Sequence, residues 1–112
     1  SSWAAQRGPG TPALMTYSAS KAALLAATKA IARNYADQNI LAYSIAPGVV
    51  RTRMSEEFAE ATVGEDAVTA GLAMKEWVPP SELASLTTFL ATGICRHLTG
   101  ATLDVNGASY VR

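Results

Sequence analysis

The segment ILAYSIAPG (residues 40–48) decides the fold class of this chain. It is almost continuously apolar, it follows a long helix-forming segment, and a Pro-Gly pair ends it. A short apolar run in this position is typical of a strand that is buried on both faces in a parallel sheet. We therefore predict a strand near residues 40–46, followed by a tight turn, in a protein of the α/β class.

The segment before this strand predicts a loop and then a long helix. Residues 1–5 fit the end of a strand, and residues 6–12 contain too many glycines and prolines for anything except a loop. A helix is expected from about Thr16 to about Asp37. Side chains that recur along it at helical spacing are expected to face a core. They belong to Leu24, Thr28, Ile31 and Tyr35.

The segment after the turn predicts further helices and one more strand. A short helix is expected from Ser55 to Ala61, and a second short helix is expected before Trp77. A longer helix begins at Pro80 or Ser81, and a last strand is expected over residues 101–105. The two short helices are expected to form an apolar flap, or to pack as ordinary helices, with Met54, Phe58, Val68, Leu72, Met74 and Trp77 on them.

The pattern contains only two complete strands, near residues 40–46 and 101–105. A two-stranded parallel sheet cannot bury both of its faces or pair both of its edges. We therefore expect that these 112 residues, which suffice for one domain at most, form the C-terminal part of a larger α/β domain or are completed by another chain.

The charge balance, the cysteine and histidine counts and the lack of long apolar runs argue against several classes of protein and site. Nine basic and nine acidic side chains cancel, which argues against a nucleic-acid partner or an anionic membrane surface. The single cysteine, Cys95, cannot form an internal disulfide, and His97 has no second histidine with which to build a metal site. No apolar run is long enough to span a membrane, and no signal pattern begins the chain, so a cytoplasmic location is expected.

Tyr17 and Lys21 lie four residues apart in the predicted helix, which places both side chains on one face, one turn apart. A free phenol holds its proton too tightly to act as a base at neutral pH, but a fixed positive charge nearby favours the phenolate. Such a phenol can give a proton to a forming alkoxide or take one from an alcohol. The spacing also fits two surface residues, because Lys21 lies near the helix angle of Lys29 and Arg33.

Four motifs in order resemble the C-terminal half of a short-chain dehydrogenase/reductase. YSASK (residues 17–21) is similar to the family's Tyr-x-x-x-Lys motif, and IAPGVVRT (residues 45–52) is similar to its Pro-Gly turn. PSE (residues 80–82) resembles the start of the penultimate helix, and LTGATLDVNG (residues 98–107) resembles the closing turn and strand. The resemblance implies the C-terminal part of a Rossmann-like, doubly wound parallel sheet.

The resemblance also implies the roles of individual residues. Tyr17 would be the general acid/base, Lys21 would stabilise its phenolate and bind the nicotinamide ribose, and Ser2 would polarise the substrate carbonyl. The cofactor would be NAD or NADP. Its nicotinamide would lie against Tyr17, Lys21 and the turn, where the contacting residues would be Pro47, Gly48, Val50 (through its backbone) and Thr52.

Three positions depart from the family pattern. The family's serine usually lies thirteen residues before the tyrosine, where this chain has Ala4. Ser2 lies two residues earlier and is preferred over Ser1, because the loop carries two extra residues. Tyr43 stands where the family often has Asn, and Ala108 replaces the second glycine of the closing pair.

Two functions of different classes fit these observations. The first is an oxidoreductase that transfers a hydride between NAD(P)(H) and a small-molecule carbonyl or secondary alcohol, assembled as a homodimer or homotetramer. The alternative is a non-catalytic, truncated relative that acts as a binding or scaffold chain. It is kept because the family's phosphate-binding glycines lie upstream of the matched motifs, so residues 1–112 do not include that part of the nucleotide site. A halide-releasing enzyme on the same scaffold would carry Arg in place of Lys21.

Overall fold

A two-stranded parallel sheet holds the chain together in a computed structural model that describes residues 1–112. Strand β1 is Ser44–Pro47 and strand β2 is Thr102–Val105, with Ser44 opposite Thr102 and Pro47 opposite Val105. The prediction of two parallel strands is confirmed. The first strand begins later than predicted, because β2 has only four residues and the segment from residue 40 to residue 43 has no strand to pair with.

The chain also forms five α-helices, and their bounds follow most of the predictions. They are α1 (Ala4–Arg7), α2 (Met15–Tyr35), α3 (Arg53–Glu60), α4 (Glu65–Gly71) and α5 (Pro80–Ala91). Short 3-10 turns cover Pro12–Leu14, Ala36–Gln38 and Arg96–Leu98. The expectation that residues 1–5 end a strand is wrong, because no strand covers Ser1–Trp3 and Ala4 and Ala5 begin α1. The loop expected over residues 6–12 is wrong for Gln6 and Arg7, which complete this helix. None of the helices combines the length and the apolar character needed to cross a membrane.

Helix α2 buries small side chains and leaves larger ones in solvent. Ser18 and Ala32 are buried, whereas Leu24 is 55% exposed and Ile31 is 42% exposed. The predicted core-facing stripe is therefore wrong for these two residues and for Tyr35, which is 45% exposed. The packing explains the difference, since a Cβ placed on Gly100 would lie 3.4 Å from the Ala32 Cβ, and such a close approach admits only small residues.

The main apolar cluster lies beside the sheet, under α3 and α4. It contains Ala59, Leu72 and Trp77, and it is packed by Trp3, Val49 and Val68. Leu72 and Trp77 are buried, as expected both for a flap and for ordinary helical packing. The flap prediction is wrong for side chains that stay largely in solvent, which are Met54 (68% exposed), Met74 (61%) and Phe58 (48%).

Few residues are buried for a chain of this length. Eleven of 112 residues are buried, and the radius of gyration is 15.2 Å. A globular domain of this length would have a radius of about 13 Å. The 47 × 28 × 24 Å envelope is correspondingly elongated. Most of the apolar surface of the helices therefore has no partner within these residues.

The turn after β1 passes very close to the loop after β2. A Cβ placed on Gly48 would lie 2.8 Å from the Asn106 Cβ and 3.0 Å from its Cα. Asn106 is buried, and its side-chain amide donates to the carbonyl of Tyr110 at 3.0 Å, which fixes the loop. The passage therefore tolerates no side chain on the turn.

We expect Gly48→Ala to lower the free energy of unfolding by about 1–3 kcal/mol, because the added methyl meets backbone that cannot move aside. Gly71→Ala is the matched control, since nothing lies within 4 Å of a Cβ at that position. The control should be neutral or slightly stabilising. Urea denaturation of both variants measures the difference, and equal midpoints for the two would contradict the steric argument.

The closing turn contains an alanine in a left-handed conformation, since Ala108 has a φ of 57°. This conformation costs a non-glycine residue about 1–2 kcal/mol. We expect Ala108→Gly to raise the free energy of unfolding by about 0.5 kcal/mol or more, after the greater freedom of glycine in the unfolded chain is subtracted. Ala84→Gly, in the exposed middle of α5, should instead lower it by about 1 kcal/mol. Thermal unfolding compares the two, and a lower midpoint for Ala108→Gly would contradict the prediction.

Candidate functional site

The first two turns of α2 carry the phenol and the ammonium that the motif contains. Lys21 Nζ lies 5.5 Å from the centroid of the Tyr17 ring. Tyr17 is 39% exposed, and neither its hydroxyl nor the Lys21 ammonium has a hydrogen-bond or salt-bridge partner within the chain. The two groups are therefore adjacent to each other and free to bind something else.

Ser2 is held between α2 and the end of β1 by its two neighbours. The hydroxyl of Ser1 donates to the carbonyl of Lys21 at 3.3 Å, and the backbone N–H of Trp3 donates to the carbonyl of Pro47 at 3.2 Å. Ser2 itself is buried, and its hydroxyl oxygen accepts from the N–H of Ala4 at 3.2 Å. Its hydroxyl proton has no acceptor within the chain, so it can be donated to a ligand.

The turn after β1 presents backbone groups beside this serine. Pro47 is the last residue of β1, and the N–H of Gly48 donates to the carbonyl of Val105 at 3.0 Å. Val50 forms an isolated parallel bridge with Val78, but no hydrogen bond within the chain uses the Val50 N–H group. This backbone donor is therefore available at the carboxyl end of the strand, where open α/β sheets bind their ligands.

Thr52 ends the turn and caps α3. Its hydroxyl oxygen accepts from the N–H of Ser55 at 3.4 Å and lies 3.1 Å from the Ser55 hydroxyl. A hydroxyl can donate one hydrogen bond and accept two. When the Ser55 hydroxyl donates to Thr52, the Thr52 oxygen accepts both bonds of the cap and its own proton is free for a ligand. Capping also fixes where α3 begins, and therefore the direction of the flap.

Arg51 is a member of this region that sequence reasoning missed. Its guanidinium lies 2.8 Å from a Glu65 carboxylate oxygen and 3.5 Å from one of Glu56, and it stacks 4.6 Å from the centroid of the Trp77 ring. The hydrogen bond to Glu65 is the largest cause that raises the pKa of Arg51. The partners come from three different segments, so no periodic pattern indicates them. The acidic first turns of α3 and α4 are the one local hint of a cationic neighbour.

The structure links segments that are far apart in the sequence. The segment around the buried Ser2 bonds through Ser1 to α2 at Lys21 and through Trp3 to the end of β1 at Pro47, and Tyr17 and Lys21 are neighbours on α2. A phenol next to a cation suits proton transfer, and a hydroxyl with a free proton suits a developing oxyanion.

Comparison with known proteins identifies the family of this chain. The family model described as enoyl-(acyl carrier protein) reductase matches residues 1–108. An uncharacterized short-chain type dehydrogenase/reductase of Sinorhizobium fredii is 32% identical over 111 residues, which are 99% of this chain and 44% of that protein. Dehydrogenase/reductase SDR family member 4 of Bos taurus is 34% identical over 98 residues, which are 88% of this chain and 35% of that protein.

Another relative is the 3-oxoacyl-[acyl-carrier-protein] reductase FabG of Rickettsia bellii, with 32% identity over 98 residues, or 88% of this chain and 40% of that protein. The chain thus spans less than half the length of these curated relatives.

Solved structures give the same result. A 4-hydroxyisoleucine dehydrogenase complexed with NADH superposes with a TM-score of 0.82 at 29% identity, over 96% of this chain and 43% of that one. An actinorhodin polyketide ketoreductase with NADPH superposes with a TM-score of 0.87 at 26% identity, over 99% of this chain and 46% of that one. The α/β arrangement described here is therefore part of a Rossmann-type reductase fold, and the chain belongs to the short-chain dehydrogenase/reductase family.

Proposed function

We propose that this chain carries the catalytic part of an NAD(P)-dependent oxidoreductase that interconverts a small-molecule carbonyl and a secondary alcohol. One observation carries the proposal: the free Lys21 ammonium lies 5.5 Å from the Tyr17 ring, on the helix against which the Ser2 segment packs. Family membership supports the reaction class, because the relatives named above are reductases and dehydrogenases.

The roles of the three side chains follow from their chemistry. In the reducing direction, Tyr17 gives its phenolic proton to the carbonyl oxygen of the substrate, and Lys21 stabilises the phenolate that remains. The hydroxyl of Ser2 donates a hydrogen bond to the same oxygen as negative charge develops on it. A bound nicotinamide cofactor supplies or accepts the hydride. In the oxidising direction, the Tyr17 phenolate takes the proton of the alcohol.

The residues of the turn fit a nicotinamide. A carboxamide has a carbonyl oxygen that needs a donor, and the Val50 N–H and the Thr52 hydroxyl are donors at one end of β1. The Lys21 ammonium has three protons for the hydroxyls of the ribose. Pro47 and Gly48 form the surface of the turn, and the absence of a side chain on Gly48 lets it stay close to Asn106. The cofactor is NAD or NADP.

We also propose that residues 1–112 form the C-terminal part of one larger Rossmann-like domain. The sheet has only two strands, only eleven residues are buried, and the radius of gyration exceeds that of a globular domain of this length. More strands would pair the open edges and cover the apolar side chains. Part of the exposed face of α2, which includes Leu24 and Ile31, would suit a homodimer or homotetramer interface. The cytoplasmic location and the expected absence of nucleic-acid and membrane partners stay predictions.

We expect Tyr17→Phe in the complete protein to reduce kcat by about 10²–10⁴-fold, because the phenylalanine ring fits the same space but has no proton to transfer. Cofactor affinity and the thermal midpoint should change little. Tyr35→Phe is the matched control, since this tyrosine is exposed at the other end of α2. Steady-state kinetics with NADH and NADPH and a panel of ketones measures the effect. Turnover of Tyr17→Phe that equals the control would favour the non-catalytic alternative.

We expect the intact mass of the purified protein to be well above 11.7 kDa, the mass of these 112 residues. The reason is that the two-stranded sheet requires further strands to bury its faces. Mass spectrometry under denaturing conditions measures it. A mass of 11.7 kDa would contradict the single larger domain and would require a second chain to complete the sheet.

A further inference from the structure

Arg51 contacts both helices of the flap, here residues 53–77, and the tryptophan at its end. Its guanidinium reaches Glu56 in α3, Glu65 in α4 and the ring of Trp77. Its backbone N–H donates to the carbonyl of Val78 at 3.0 Å. One residue in the turn therefore contacts both flap helices and the segment that follows them.

These contacts join the flap to the two residues proposed to hold the nicotinamide. Arg51 lies between Val50 and Thr52 in the chain, so a shift of its backbone moves both neighbours. The hydrogen bond from the Arg51 N–H to the Val78 carbonyl is part of the parallel bridge between Val50 and Val78. Trp77 is buried in the apolar cluster, and its indole N–H donates to the Thr69 hydroxyl at 2.8 Å, so Arg51 stacks on a fixed surface.

Both ion pairs that hold α3 and α4 to the turn depend on the positive charge of Arg51. Glu56 and Glu65 approach the same guanidinium from different helices, so removal of the cation removes both ion pairs that join α3 and α4 to the turn. The two carboxylates then lose their shared counter-ion, and α4 is no longer tied to the turn by it. The ordinary ion pair between Arg53 and Glu57, at 3.4 Å within α3, can have no such effect because both partners belong to one helix.

We propose that Arg51 is a positioning residue that locks both flap helices onto the turn, so that closing of the flap and binding of the nicotinamide stabilise each other. The proposal rests on the proposed oxidoreductase function for its ligand, but the lock itself is a property of the free protein. Arg51 touches no reacting atom. It acts through Val50 and Thr52 on one side and through Glu56, Glu65 and Trp77 on the other.

The test compares Arg51→Met with Arg53→Met in the complete protein, because each variant removes one arginine charge and keeps an unbranched side chain. For Arg51→Met we expect the KM for the nicotinamide cofactor to rise roughly fivefold or more, while kcat at saturating cofactor and the thermal midpoint stay near the wild-type values. Arg53→Met should leave all three unchanged. A purely structural role would lower the thermal midpoint and kcat together.

Glu65→Gln completes a double-mutant cycle. If Arg51 acts through Glu65, the effect of Arg51→Met on the cofactor KM becomes smaller in the Glu65→Gln background. Additive effects in the cycle, or equal effects of the two arginine variants, would overturn the proposal. Arg51→Lys should recover part of the affinity, since lysine keeps the charge but loses the planar group that stacks on Trp77.

Hydrogen exchange of the free protein separates this proposal from the proposed function. The amides of residues 53–71 should exchange faster in Arg51→Met than in the wild type, and Arg53→Met should match the wild type over residues 65–71. If the wild type has no turnover with either cofactor, the proposed function fails, while faster exchange in Arg51→Met still supports the lock. Unchanged exchange in Arg51→Met overturns the lock whatever the kinetics show.

Discussion

The close passage of Gly48 beside Asn106 is the constraint on which the site depends. The parallel register places Pro47 opposite Val105, so the chain leaves both strands at the same level. Only a residue without a side chain can then turn away over the second loop, because a Cβ would lie 2.8 Å from Asn106. The direction of this exit determines where the Val50 N–H and the Thr52 cap lie.

The elements that could be predicted from the sequence are those with local signals. The long helix before residue 40, the turn at Pro47-Gly48 and the last strand each depend on spacing or on turn residues within a few positions. The buried face of α2 is harder to predict, because apolar periodicity assigns the largest apolar side chains to the core. The partner of this helix selects small ones instead, and Ala32 is buried while Leu24 is not. That selection is a property of packing distance, which a single sequence does not contain.

In the candidate site too, some positions follow from local spacing in the sequence and others depend on long-range contacts. Tyr17 and Lys21 are neighbours through helix geometry alone, so their adjacency follows from a spacing of four. The position of Ser2 depends on contacts over long sequence distances, from Ser1 to Lys21 and from Trp3 to Pro47. The two extra residues that the resemblance implies in the loop need not displace this serine, because helix α1 begins two residues after it. A residue in a helix advances the chain by about 1.5 Å, against about 3.3 Å in a strand, so a helical turn absorbs the added length.

The distribution of ion pairs favours the chemistry proposed for α2. Every salt bridge in the structure uses an arginine, namely Arg51, Arg53 or Arg112, and none involves Lys21. A carboxylate beside Lys21 would cancel much of the positive potential at the Tyr17 ring, since opposite charges a few ångströms apart offset each other's field. The lysine proposed to stabilise a phenolate therefore has no acidic partner, while Glu56 and Glu65 of the flap are bound by Arg51 on the adjoining turn.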